Sequence, residues 1–104
     1  MIFEYMYEVT EPSVAEAMKE RMKTKYRIGG IMLRIDFRIN REAELEVDNT
    51  EILYVVDTES DVPIMLHKAD KFIVGDFIDY DSVDARCYEE WDTMRKDLED
   101  SYNG

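Results

Sequence analysis

The side chains that most often carry nucleophilic chemistry occur once each in this chain, as Cys87 and His67. A catalytic cysteine needs a partly exposed, electropositive setting that favours the thiolate. Cys87 has acidic neighbours in sequence and lies on an apolar helical stripe, so we expect a small core residue with a raised pKa. We interpret His67 as a surface or strand-end residue. One cysteine and one histidine do not complete a tetrahedral zinc site.

Four aspartates between residues 76 and 84 raise the question of a calcium loop. An EF-hand loop that started at Asp79 would carry Val83 at its fifth position, where an oxygen ligand is required. Its sixth position would be Asp84, where the turn requires glycine. Only adventitious binding of a divalent ion remains open. No glycine-rich phosphate loop occurs elsewhere, so we expect no metal, no cofactor, no catalytic residue and no enzymatic activity.

Charge is divided unevenly along the chain, whose net charge is −12. Residues 1–41 carry eight basic and six acidic side chains, giving +2, whereas residues 42–104 carry five basic and 19 acidic side chains, giving −14. Clustered acids disfavour direct binding to nucleic acid or to a membrane surface, because both require cations. They permit a basic protein partner. The alternative is that the acids serve only solubility.

Length and composition indicate one domain over residues 1–104 with a core of its own, since 45% of the residues are hydrophobic. The single cysteine cannot form an internal disulfide, which favours a reducing compartment. The first nine residues contain two glutamates and no basic residue, unlike a signal peptide. The longest apolar run, residues 52–56, is too short to span a membrane. We therefore expect a cytoplasmic protein, located in the host cytoplasm if it is viral.

Apolar periodicity places the elements of the first part of the chain. Alternation over residues 1–9 predicts a strand. Apolar residues that recur every four positions predict a helix over residues 14–26. Ser13 and Glu16 fit a capping box at the start of that helix.

Two alternating runs, residues 31–39 and residues 42–48, predict a β-hairpin. Directly opposed residues lie on the same face of a sheet, and this parity favours a three-residue loop over residues 40–42. That register sets Ile39 against Ala43, Phe37 against Leu45 and Ile35 against Val47, and it pairs Arg38 with Glu44 and Arg34 with Asp48 on the outer face.

The second part of the chain is predicted to contain strands over residues 51–57, 63–67 and 71–78. A helix follows over residues 82–101, with Asp81 or Ser82 as its cap. Its inward stripe consists of Val83, Cys87, Trp91, Met94, Leu98 and Tyr102. The element order β-α-β-β-β-β-β-α indicates an α+β fold, an antiparallel β-sheet of four to six strands with two helices packed on one face.

The acids of the last helix depart from helical preferences. Asp97, Glu99 and Asp100 lie near its negative end, where cations are preferred, at a cost of up to about 0.3–1 kcal/mol each. Departures from local rules are places where function is worth seeking. A second acidic row is predicted on the hairpin, where carboxylates would repeat about every 6.5–7 Å, as phosphates do along a nucleic-acid strand. Its members are Glu42, Glu44, Glu46 and Asp48, and Arg34 and Arg38 could neutralise them across the hairpin.

The last helix and the segment before it are therefore the better candidate for a partner-binding surface. Acidic side chains there supply charge, and tyrosines supply aromatic anchors. The candidate partner-binding residues are Asp79, Tyr80, Asp81, Asp84, Tyr88, Glu89, Glu90 and Asp92.

In size, charge and lack of catalytic residues, the chain resembles the small acidic inhibitors of bacteriophages and mobile elements, such as anti-CRISPR and anti-restriction proteins, some of which are DNA mimics. The resemblance implies a non-enzymatic inhibitor that occludes the basic surface of a nuclease or another nucleic-acid-binding protein. Bacterial immunity proteins share these bulk properties, so an antitoxin for a nuclease toxin is the alternative. A structural or oligomer-forming viral protein, with a homodimer left open, is a third, suggested by Met6 and Met32 on the outer strand faces.

Overall fold

The computed structural model describes residues 1–103, with side chains through residue 97. The strands are β1 (Ile2–Glu8), β2 (Ile28–Ile39), β3 (Leu45–Asp57) and β4 (Pro63–Ile64), and the helices are α1 (Pro12–Met22), α2 (Lys68–Gly75) and α3 (Tyr80–Asn103). The strands form one antiparallel sheet in the order β1-β2-β3-β4. The α+β class is thus confirmed. The predicted element order differs in two places, because β3 replaces two predicted strands and α2 replaces the strand predicted over residues 71–78.

The core lies on one face of the sheet. Ile31, Leu33, Ile35 and Phe37 of β2 are fully buried there, as their alternation predicted. The helices join the same cluster through Met18, Val74, Val83 and Cys87. Three helices, and not the two predicted, therefore contribute to the core.

α1 begins two residues earlier than predicted, because Pro12 takes its first turn, where the fixed φ of proline is favourable. Glu11 is the cap residue, and its side chain makes no cap hydrogen bond. The predicted capping box of Ser13 and Glu16 is therefore wrong. The helix ends short of its predicted end, because Lys23 adopts a left-handed conformation with φ 54° and closes the last turn.

The hairpin between β2 and β3 has a five-residue turn in place of the predicted three-residue loop. Ile39 pairs with Leu45 and Phe37 with Val47, so these two partners lie two residues further along than expected. A shift of two residues preserves parity, so Leu45 and Val47 still face the core, whereas Ala43 is exposed in the turn. Ile35 pairs with Thr50, three residues beyond the predicted Val47, because a bulge intervenes. The turn is longer because Asn40 organises it through its side chain, as described below.

β3 unites two strands that were predicted separately. Its thirteen residues replace the strands predicted over residues 42–48 and 51–57, and residues 42–44 belong to the turn. Register shifts leave Asp48 and Leu53 as the extra residues of two β-bulges. A bulge bends a strand and increases its twist, so the two bulges let β3 stay paired with β2 along its length while both strands twist.

The strand predicted over residues 71–78 was wrong, because α2 occupies most of this segment. In a strand Phe72 and Val74 would share one face, yet Val74 is fully buried and Phe72 is 72% exposed, as the turn of a helix allows. The run of apolar residues fits both periodicities, and packing at the sheet edge decides between them. The strand predicted over residues 63–67 is reduced to the two residues of β4.

The outer face of the sheet carries a small apolar patch. Met6, Met32 and Tyr54 are neighbours across β1, β2 and β3, and all three are half-buried. A Cβ on Gly30 would lie 2.6 Å from the Met6 sulfur, so the absence of a side chain on Gly30 lets Met6 lie flat on the sheet. The two methionines predicted to lie on the outer strand faces therefore shield one another in part.

Candidate protein-binding surface

The start of α3 is fixed by Asp79, which immediately precedes its first residue. The side chain of Asp79 accepts a hydrogen bond from the N–H of Asp81 (3.1 Å), and its carbonyl accepts one from Val83 (3.3 Å). These are the bonds of a helix N-cap, so Asp79 takes the role predicted for Asp81 or Ser82. The N–H of Asp79 donates to the Tyr7 hydroxyl on β1 (3.0 Å), which ties the cap to the sheet.

The inner stripe of α3 packs against the sheet, as predicted. Val83 and Cys87 are fully buried. Trp91 and Met94 are half-buried, whereas Leu98 and Tyr102 lie outside the described side chains. Burial raises the pKa of the Cys87 thiol to about 11, and the nearby charge of Asp84 acts in the same direction. The thiolate is therefore disfavoured, and Cys87 serves as a core residue.

Arg86 joins α3 to β1 through aromatic rings. Its guanidinium lies 5.2 Å from the ring centroid of Phe3 and 5.4 Å from that of Tyr5, and it pairs with Glu90 at 3.2 Å. The Tyr5 hydroxyl is buried and has no hydrogen-bond partner among the described residues. Burial, followed by the neighbouring Cys87, raises the pKa of Tyr5 to about 12. This cluster is a packing contact between elements.

We define the acidic strip as four exposed acids and one exposed tyrosine on the outward side of α3. Its members are Asp81, Asp84, Tyr88, Glu89 and Asp92. Members that lie three or four residues apart in the chain are about 5–6 Å apart at Cβ. From its first to its last member the strip rises about 16 Å along the helix. Tyr88 is 47% exposed, so an aromatic surface lies among the carboxylates.

Three carboxylates of the acidic strip have no cation beside them. Within residues 1–97, Asp81, Asp84 and Glu89 take part in no ion pair. Asp92 differs, because it pairs with Arg95 at 3.4 Å. The charge of the strip is therefore concentrated in its first two and a half turns.

The other three candidate residues lie outside the strip. Asp79 is exposed but caps the helix. Tyr80 turns toward α2, where its hydroxyl donates to the Gly75 carbonyl (3.4 Å). Glu90 is half-buried and paired with Arg86. Sequence spacing did not separate these residues from the strip, because spacing does not show which residue caps the helix, which turns toward α2 and which acid forms an ion pair.

Two acids of the hairpin turn stand next to the acidic strip. The Tyr88 hydroxyl accepts a hydrogen bond from the N–H of Leu45 (3.4 Å), which places the turn beside it. The side-chain oxygen of Asn40 accepts the N–H groups of Glu42 and Glu44 (2.9 Å each) and fixes the turn. Both glutamates are exposed. The contact joins parts of the chain 43 residues apart and could not be read from the sequence.

Arginine neutralises two of the four members of the acidic row predicted along the hairpin. Arg38 pairs with Glu46 at 2.9 Å and with Asp48 at 3.4 Å, and not with Glu44 as predicted. A hydrogen bond from Asn40 and the charge of Arg38 hold the pKa of Glu46 below its usual value. Arg34 pairs with Glu4 at 2.8 Å and with Glu51 at 3.6 Å, in place of the predicted Asp48.

We also searched the part of the chain that the structure describes for metal sites and membrane-spanning helices. No three His, Cys, Asp or Glu side chains there converge to hold a metal ion, and no helix there is both long and apolar enough to cross a membrane. His67 is exposed and precedes α2. Comparison of the chain with family models, with curated proteins and with solved structures gave no match.

Proposed function

We propose that this protein is a small acidic inhibitor, encoded by a phage or mobile element, that binds the basic surface of a nucleic-acid-handling protein through the acidic strip. The observation that carries the proposal is that Asp81, Asp84 and Glu89, which take part in no ion pair among the described side chains, share the outward side of α3 with the exposed ring of Tyr88. The hairpin turn adds two further exposed acids beside that ring. Carboxylates and an aromatic anchor together suit a cationic partner surface.

The inhibitor acts by occupying the surface that its partner uses for nucleic acid. The strip lies on a helix whose start is capped and whose inner face is packed, so little conformational freedom is lost on binding. Negative charge steers association, and the rate of association falls as salt screens it. Tyr88 then excludes water at the centre of the contact, and no bond is made or broken.

A pair of variants with equal net charge tests the proposal. The strip variant carries Asp81→Asn, Asp84→Asn and Glu89→Gln. The control variant carries Glu8→Gln, Glu20→Gln and Glu59→Gln, which change exposed glutamates elsewhere. Partners are captured from host extract on the wild-type protein at low and at high salt, purified, and measured by titration calorimetry. We expect the strip variant to lose about tenfold to a hundredfold in affinity, and the control variant to lose less than about threefold.

Equal losses in the two variants would show that net charge alone attracts the partner, and the strip would have no special role. An affinity that does not change with salt would also contradict the mechanism. The identity of the captured protein separates the inhibitor from the alternative of an immunity protein. A nuclease toxin encoded beside this gene would favour the immunity protein, and a host nucleic-acid enzyme would favour the inhibitor.

A further inference from the structure

A groove of about 480 Å³ lies between β3 and α2, and none of its lining residues belongs to the acidic strip. Residues 50–52 of β3 form one wall, and Lys68, Lys71 and Phe72 of α2 form the other. At the floor, a Cβ on Gly75 would lie 3.7 Å from the Tyr80 hydroxyl and 3.9 Å from a methyl group of Ile52. The groove is therefore narrow at its base and open above, the shape of a slot between a strand and a helix.

The β3 wall is an unpaired sheet edge. β4 pairs only with Val55 and Val56, so within the described residues the preceding part of β3 has a strand partner on the β2 side alone. The bulges at Asp48 and Leu53 bound a regular stretch over residues 49–52. Free edges are templates for added strands, and bulges restrict which strands can pair. A four-residue window suits a short peptide and does not suit a second copy of this long, twisted sheet.

The main chain of this window points into the groove. Phe37 donates its N–H to the Met1 carbonyl on the β1 side (2.8 Å), so by alternation Ile35 and Leu33 also bond toward β1. Their opposite partners, Thr50 and Ile52, therefore direct their N–H and C=O groups away from β2. Leu45 likewise directs its N–H away from β2, and this N–H donates to the Tyr88 hydroxyl. Thr50 and Ile52 together offer four hydrogen-bonding groups.

The opposite wall supplies positive charge and an apolar anchor. The two carboxylates that line the groove, Glu51 and Asp76, are already paired with arginines, at 3.6 Å and 3.0 Å. In contrast, Lys68 and Lys71 enter no ion pair among the described side chains. Phe72 is 72% exposed beside them. In a chain of net charge −12, the groove is thus a place where unpaired cations meet exposed aromatic surface.

We propose that this groove binds a short acidic peptide segment of a partner protein, which adds to β3 as an extra strand. The peptide would bond to Thr50 and Ile52, place an apolar side chain against Phe72 and direct its acids toward Lys68 and Lys71. Strand addition of this kind draws affinity from the main chain and specificity from alternate side chains. The site is independent of the acidic strip and would give the protein a second partner of opposite charge.

Phage display of random peptides of about seven residues on the immobilised protein tests the proposal. We expect enrichment of sequences in which acidic residues alternate with one large apolar residue. A synthetic peptide of the enriched sequence should shift the amide NMR signals of residues 49–53 and 68–72. In Lys68→Gln plus Lys71→Gln its affinity should fall about tenfold or more, whereas in the matched variant Lys23→Gln plus Lys25→Gln it should hardly change.

A proline at the strand edge tests the main-chain contact separately. Thr50→Pro removes an N–H that points into the groove and leaves the ladder to β2 intact, so peptide binding should be lost while the thermal unfolding midpoint shifts by only a few degrees. Enrichment of basic peptides, absence of enrichment, or signals confined to α3 would overturn the proposal. So would self-association that Thr50→Pro abolishes, since the occupant would then be a second copy of the chain.

Discussion

Tyr5 combines a useful ring with a costly hydroxyl. The ring supports the guanidinium of Arg86 and belongs to the packing between β1 and α3. The hydroxyl is buried and unpaired among the described residues. A polar group in this state costs about 1–3 kcal/mol, whereas a cation–π contact contributes about 0.5–2 kcal/mol. The two parts of the side chain therefore act on stability in opposite directions.

Replacement of Tyr5 by phenylalanine should not destabilise the protein. The ring and its contact with Arg86 remain, and the unpaired hydroxyl is gone, so we expect the free energy of unfolding to rise by up to about 1 kcal/mol at neutral pH. Urea denaturation of Tyr5→Phe measures this, with Tyr54→Phe on the outer face as the matched control. A loss of more than about 1 kcal/mol would reveal a hydrogen bond to that hydroxyl.

The substitution Tyr5→Phe should also change how the free energy of unfolding varies with pH above pH 10. Folding raises the pKa of Tyr5 from 10.0 to about 12, so the folded state favours the protonated phenol. The contribution of the protonated phenol to the free energy of unfolding is fully present below pH 10 and is lost as pH rises from 10 toward 12. We expect the free energy of unfolding of Tyr5→Phe to fall less than that of the wild type over this interval. Parallel curves for the two proteins would contradict the assignment.

Among the elements, α3 depends on Asp79 in two separable ways. Its side chain satisfies the N–H of Asp81, and its charge lies at the positive end of the helix. Asp79→Ala should cost about 1 kcal/mol of stability, because the cap is lost. Asp79→Asn keeps a cap oxygen and removes the charge, so it should cost less than half as much. Chemical denaturation at neutral pH compares the two, and equal losses would indicate that charge alone matters.

Periodicity predicted an element correctly where one of its faces is buried and the other is exposed to solvent. The strands β1 and β2 and the stripe of α3 meet this condition, and their inner residues are the ones expected. α2 does not meet this condition, because its apolar run is compatible with both a strand and a helix. The two-residue β4 leaves most of the β3 edge uncovered, and the segment packs there as a helix. The hairpin register failed for a local reason, since the side chain of Asn40 organises a longer turn.

The candidate surface was predictable only in part. Helical spacing placed all members of the acidic strip among the candidates, but it did not exclude Asp79, Tyr80 and Glu90, which serve as a cap, a contact with α2 and an ion-pair partner. The hairpin acids beside Tyr88 and the lysines of the groove depend on contacts between distant parts of the chain. Such contacts leave no periodic signal. A surface formed by distant parts of the chain is therefore recognisable only once the elements are packed together.

At the scale of the whole molecule, charge opposes folding. The chain carries −12, and the residues from 42 onward carry most of it. The described ion pairs offset only a part of this repulsion, and they are largely exposed. Screening by salt should therefore relieve more repulsion than it removes attraction.

Salt should accordingly stabilise the protein. Between about 10 mM and about 300 mM NaCl we expect a gain on the order of 1 kcal/mol, or roughly 5 °C in the midpoint of thermal unfolding. Scanning calorimetry measures it, and the control variant Glu8→Gln, Glu20→Gln and Glu59→Gln should gain less. A midpoint that falls with salt would mean that the ion pairs, and not the repulsion, dominate.

The molecule is elongated. Its extents are 52 × 27 × 22 Å, and its radius of gyration is 16.0 Å, against about 13 Å for a compact chain of this length. The 24 residues of α3 extend about 36 Å, which exceeds both short extents, so the helix contributes to the length of the molecule. The acidic strip covers about 16 Å of that helix.

The buried thiol of Cys87 makes the docking of α3 observable without any added label. A disulfide reagent can reach this sulfur only while the helix is lifted from the sheet, because the residue is 0% exposed. When reclosing is fast, the rate of modification measures the equilibrium population of that opened form. A protein held on the acidic strip should suppress the opening. The slowing of thiol exchange would then report occupancy of α3 in solution.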